Sequence, residues 1–144
     1  MVDFEKEVAG NLLFLTLDAE ARARVLGLAK AKRFHRGETL IQEGSPDQDV
    51  YLLRQGKVEV QTMQEGFIIE LSELEPGAVF GEVARVTQGR RTATVVAKGE
   101  VEVLVFPGPE LVDELRRHPT ASKLLDHITI HRIREKKEKT FGED

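Results

Sequence analysis

Between residues 32 and 106 a turn signal recurs about every ten residues, and this rhythm constrains the chain more than any other feature. The signals are Arg36-Gly37, residues 43–47, Gln55-Gly56, Glu65-Gly66, Pro76-Gly77 and Lys98-Gly99. Between them sit Val50 to Leu53, then Val58 and Val60, then Phe67 to Leu71, Thr92 to Ala97, and Val101 to Phe106. Short apolar segments at such spacing predict a small all-β barrel or sandwich. Val58-Glu59-Val60-Gln61 and Val101-Glu102-Val103 alternate apolar and polar residues, as half-buried strands do.

Helical patterns flank this zone. In residues 1–31, Asp18 is a candidate N-cap, followed by Ala21, Val25, Leu28 and Ala29 at helical spacing. The apolar segment Leu12 to Leu15 precedes it as a short helix or staple. In residues 109–139, Pro109 and Pro119 suit helix starts. The first of these two helices presents Leu111, Val112 and Leu115. The second presents Ala121, Leu124, Leu125 and Ile128, with Ile130 and Ile133 rotated away. Two apolar faces predict two partners: the barrel, and either a ligand or a second subunit. The polar tail after Lys139 is expected to fray.

A length of 144 residues suits one domain, 1–144, with an ordinary soluble composition of 40% hydrophobic and 32% charged residues. The absence of cysteine removes disulfides, thiolate catalysis and cysteine zinc sites. No apolar run is long enough to cross a bilayer, and residues 1–10 show no secretory signal, so a cytoplasmic location is expected. The net charge of −4 argues against direct nucleic-acid contact. The basic run from Arg132 to Lys139, interrupted by Glu135 and Glu138, reads as a solvated helix end whose cations suit the helix dipole.

Residues 80–95 carry the chemistry. Gly81 after Phe80 permits close backbone approach or a positive φ. Glu82 to Arg85 can form one helical turn whose free amides attract a phosphate. Arg91, nine residues after Glu82, can give a phosphate two parallel charge-assisted hydrogen bonds. An ionised carboxylate only accepts hydrogen bonds, so Glu82 suits a sugar hydroxyl. An anion corner and a sugar corner in one turn point to a cyclic nucleotide. The bland alternatives are that Glu82 only favours a helix start, that Arg91 pairs with a carboxylate such as Glu102, and that Thr92 is only a β-former.

This stretch, Phe-Gly-Glu-Val-Ala followed by Arg90-Arg91-Thr92-Ala93, resembles the phosphate-binding cassette of the cyclic nucleotide-binding domain family. Phe34 to Gly44 looks like that family's opening strand pair, and Val50 to Val60 like its next hairpin; about residues 12–136 match in order. The resemblance implies a mainly β fold: a double-stranded β-helix, or jelly-roll barrel, with an N-terminal helical segment and two C-terminal helices. It implies that Glu82 binds the ribose hydroxyl and Arg91 the cyclic phosphate. Backbone amides of Gly81, Val83 and Ala84 would assist, with Phe80, Thr92 and Ala93 completing the site. Thr92 leaves both cAMP and cGMP open. Arg85 departs from the pattern, which commonly has an apolar residue there to couple the cassette to the moving C-terminal helix. Arg85 is then expected either to add charge near the phosphate or to face water.

The resemblance further implies a non-catalytic regulatory or sensor domain with no cofactor beyond its cyclic nucleotide ligand. A homodimer through the C-terminal helix, and a separate effector or an output domain in a longer chain, follow as expected partners. The rival readings are an interaction module with an unused pocket and a cupin-like metalloenzyme. The latter needs several strand histidines, and only His35 lies in the strand-rich zone. His127 and His131, four apart on a helix, could share a metal but have no evident third ligand.

Overall fold

The computed structural model describes residues 11–140; the expectations for the N-terminal ten residues and for the tail at 141–144 fall outside it. Two short helices open the chain, α1 (Leu12–Leu15) and α2 (Ala19–Leu28). Asn11 and Asp18 cap them, accepting hydrogen bonds from the amides of Leu13 and Ala21, 2.8 Å each. Strands β1 (Lys30–Phe34), β2 (Thr39–Ile41), β3 (Val50–Gln55), β4 (Val58–Gln64), β5 (Phe67–Leu74) and β6 (Val79–Phe80) follow. After them come α3 (Glu82–Thr87), β7 (Thr94–Ala97), β8 (Val101–Phe106), α4 (Gly108–Arg116) and α5 (Pro119–Lys139).

The strands form two antiparallel four-stranded sheets, ordered β1-β8-β3-β6 and β2-β7-β4-β5. Between the sheets lies one core, with Ile41, Tyr51, Leu53, Val58, Val60, Leu71, Phe80, Val95 and Val103 among its members. A second core lies on the other face of the first sheet. There Val50, Leu52, Leu104 and Phe106 receive Leu13, Phe14, Val25, Leu111, Leu115, Ala121 and Leu125 from the helices. The first sheet is thus covered on both faces, which explains the unbroken apolar runs of β3 and β8. The second sheet has one solvated face, and β4 alternates accordingly.

Strand pairing begins at Lys30, two residues before the barrel zone read from sequence. Lys30, Ala31, Lys32 and Arg33 are all exposed, so this edge strand carries no alternation to read. Gly56 turns β3 into β4 at a φ of 84°, where a Cβ would fall 2.3 Å from the Glu100 carbonyl. No other residue fits that turn without moving backbone.

Candidate functional site

The site is built where β6 runs into α3. Phe80 anchors the corner from inside the barrel, its ring stacked on Tyr51 at 5.1 Å and 5°. The next residue, Gly81, caps α3 at φ 91° and ψ −2°. A Cβ there would lie 2.7 Å from the Asp49 carbonyl and 3.1 Å from Nη1 of Arg91. Glycine is therefore required twice over, by backbone conformation and by space. The first amides of α3 have no intrahelical partner.

Arg91 is held with little freedom, its side chain 2% exposed. Its Nη1 donates to the Gly81 carbonyl at 2.7 Å, and its Nη2 donates to the Asp49 carbonyl at 2.7 Å and to Asp47 Oδ1 at 2.5 Å. Its own amide donates to Ser45 and its carbonyl accepts from Gly44, which fixes the backbone to the loop before β3. Burial opposes the charge on Asp47, but hydrogen bonds from Arg91 and Ser45 outweigh it and hold the carboxyl below its ordinary range. Glu102 is not the partner of Arg91: it pairs with Arg54 and Arg33 on the first sheet. Nε of Arg91 is buried and has no hydrogen-bond partner among the described residues. An orphaned guanidinium N–H is costly unless an acceptor arrives.

Glu82 is 1% exposed, and both of its oxygens accept from Nη1 of Arg132 at 2.9 Å. Nη2 of Arg132 reaches the Val79 carbonyl at 2.7 Å. Arg132 comes from α5, which lies across the corner. Farther along the same helix Lys136 donates to the Thr92 carbonyl at 2.9 Å, and Lys139 to the Leu71 carbonyl. The basic run is thus not simply a solvated helix end. Positions 132, 136 and 139 fall on one helical face, and that face meets barrel carbonyls and a buried carboxylate. Sequence reasoning missed Arg132, Lys136 and Asp47; the spacing of the three cations was the one available signal.

Between α5, α3 and the barrel lies a cavity of about 490 Å³, lined by Phe80, Gly81, Val83, Ala84, Arg91, Thr92 and Ala93. Of the residues expected at the site, Glu82 alone does not line it. Val60, Leu71, Val95 and Ile133 supply an apolar wall, and Glu43 and Lys136 a polar end. Glu43 is fixed by Thr62 Oγ1, 2.9 Å from one oxygen, and by the Met63 amide. The size and the mostly apolar lining suit a small organic ligand. Arg85 stands outside the lining and is half-buried, reaching Gln48 at 3.4 Å, so it does not point freely to water. His127 and His131 are exposed. No group of three metal-ligating side chains occurs among the described residues, and no helix there is long and apolar enough to cross a membrane.

Fold and cavity together define a jelly-roll domain with a cavity between the barrel and a C-terminal helix. Residues 31–118 match the family described as Cyclic nucleotide-binding domain, and the chain belongs to that family. A putative potassium channel protein of Rhodopseudomonas palustris is 32% identical over 84% of this chain and 29% of its own length. A cAMP-dependent protein kinase type II regulatory subunit of Drosophila melanogaster is 37% identical over 53% of this chain and 20% of its own. The chain therefore spans less than a third of these two relatives. Among solved structures, the Thermus thermophilus catabolite activator protein superposes with a TM-score of 0.73 at 28% identity, covering 87% of this chain and 59% of that one.

Proposed function

We propose that this domain binds cAMP or cGMP and couples occupancy to the position of α5, without catalysis of its own. The observation that carries the reading is the buried, unpartnered Nε of Arg91 beside Gly81 in a cavity of nucleotide size. In this reading Arg91 takes the cyclic phosphate through its free N–H groups, and the amides of Gly81, Val83 and Ala84 assist. Glu82 accepts the ribose hydroxyl on lone pairs that Arg132 leaves open, and Arg132 orients it. Thr92 faces the phosphate or the base, while Phe80 and Ala93 complete the wall. The nucleotide favours the arrangement in which α5 packs over it, a shift that requires tighter binding to that closed form. The output lies in a separate effector, a second copy met through α5, or further domains of a longer chain.

A second reading, an interaction module with an unused pocket, draws on one observation: both Glu82 oxygens are already engaged and Glu82 does not line the cavity. Calorimetric titration of ligand-stripped protein with cAMP and with cGMP separates the two, with Arg91→Ala as control. Saturable binding abolished or strongly weakened in the variant supports the nucleotide reading. No heat and no thermal shift with either nucleotide would transfer the function to the second.

A further inference from the structure

At the corner between α4 and α5, away from the cavity, a single carboxylate gathers two arginines and a histidine. Glu114 sits on α4 with its side chain 7% exposed. Arg24 of α2 grips it bidentately, Nε to Oε1 and Nη2 to Oε2, 3.0 Å each. Arg117, the C-cap of α4, reaches Oε1 at 3.3 Å, and Nε2 of His118, the N-cap of α5, lies 3.0 Å from Oε2. One buried group thus ties α2, α4 and the first residue of the turn into α5.

The consequence is a matter of leverage. Arg132 lies thirteen residues into α5, about 20 Å from its start at 1.5 Å per residue. Tilting the helix by about 10° at Pro119 would carry Arg132 about 3.4 Å sideways over that length. After a displacement of that size its 2.9 Å bonds to Glu82 persist only if the Arg132 side chain leaves its rotamer. Ala121 and Leu125 seat the near end of α5 in the helical core, but apolar contacts are non-directional. The bidentate pair and the N-cap contact are directional. A brace on the outer side, Arg116 to Ser122 and Asp126, is solvent-exposed and so contributes little.

The geometry points to Glu114 as a positioning residue: it sets the direction in which α5 leaves α4 and thereby holds Arg132 over Glu82. This rests on the proposed nucleotide function only for its effect on affinity, since the pairing of Arg132 with Glu82 can be followed without ligand.

The test uses the whole chain carrying Glu114→Gln, which keeps the side-chain shape, with Arg24→Gln as the partner variant and each combined with Arg132→Ala. Hydrogen exchange of the ligand-free proteins is followed along residues 128–138, with β3 and β8 as the internal control. Glu114→Gln is expected to speed exchange along this part of α5 about fivefold beyond any gain that β3 and β8 show from the loss of global stability, as Arg132→Ala does. The affinity for whichever of cAMP and cGMP binds should fall about fivefold, within the usual range of coupling between sites. No further loss should appear in the Arg132→Ala background. Exchange along α5 that rises no more than that of β3 and β8, or an affinity loss that adds in full to that of Arg132→Ala, would overturn the assignment. If wild type binds neither nucleotide, the functional reading fails by itself, and the exchange result still decides the role of Glu114.

Discussion

Nη1 of Arg132 bridges both oxygens of Glu82 at 2.9 Å, joining two residues fifty positions apart and tying the last helix to the turn after β6. Removing the arginine leaves a carboxylate that is 1% exposed without a counter-charge. Breaking such a buried pair typically costs about 3–5 kcal/mol. Arg132→Ala is therefore expected to lower the unfolding free energy by about 3 kcal/mol in urea titrations, whereas a joint Arg132→Met, Glu82→Gln change should recover most of it. Equal stability of the single and double variants would contradict this.

Asp47 orients Arg91 at the cost of some desolvation, and Arg91 in turn keeps its carboxyl ionised. Asp47→Ala should weaken cyclic nucleotide binding about tenfold, because the guanidinium then samples other orientations. Arg91→Ala should lose more, about 2–5 kcal/mol, since it strands a buried phosphate. Isothermal titration of both variants ranks them, and the reverse order would place the phosphate elsewhere.

Gly81→Ala combines a positive φ with a Cβ 2.7 Å from the Asp49 carbonyl. Either the turn or the Arg91 contact has to give. The expected outcome is a destabilisation above 1 kcal/mol, accompanied by loss of nucleotide binding. Wild-type melting and affinity in this variant would show that the turn is less confined than its contacts imply.

The Arg24 and His118 contacts hold the Glu114 carboxyl down from 4.5 to about 2. A carboxyl depressed in the folded state stabilises it above the unfolded value and loses that contribution as pH falls through the folded one. Stability should accordingly fall between about pH 4.5 and 2. Glu114→Gln should show a shallower decline across that window in urea midpoints taken at successive pH values. Parallel curves for the two proteins would refute the assignment.

Legibility from the sequence followed the range of the interaction. The turn glycines, the runs of β3 and β8 and the cap at Asp18 are local features, set by φ, by alternation and by a side chain reaching three residues ahead. Strand β1 carries no alternation to read, because Lys30, Ala31, Lys32 and Arg33 are all exposed side chains on an edge strand. The contacts of Arg91 with Asp47 and of Arg132 with Glu82 span 44 and 50 positions, and no period in the chain encodes such pairs. The cations at 132, 136 and 139 share a helical face, but whether that face meets water or barrel is decided by how α5 lies on the sheets.

Strand β6 contains only Val79 and Phe80, and its two side chains enter different compartments: Val79 the helical core, Phe80 the space between the sheets. It stands between two packed volumes, with one side chain in each. Any displacement of Gly81, the next residue, would have to be accommodated in close packing on both faces of the first sheet. The carbonyl of Val79 also accepts from Arg132, so α5 is bonded to the backbone of the same two-residue strand.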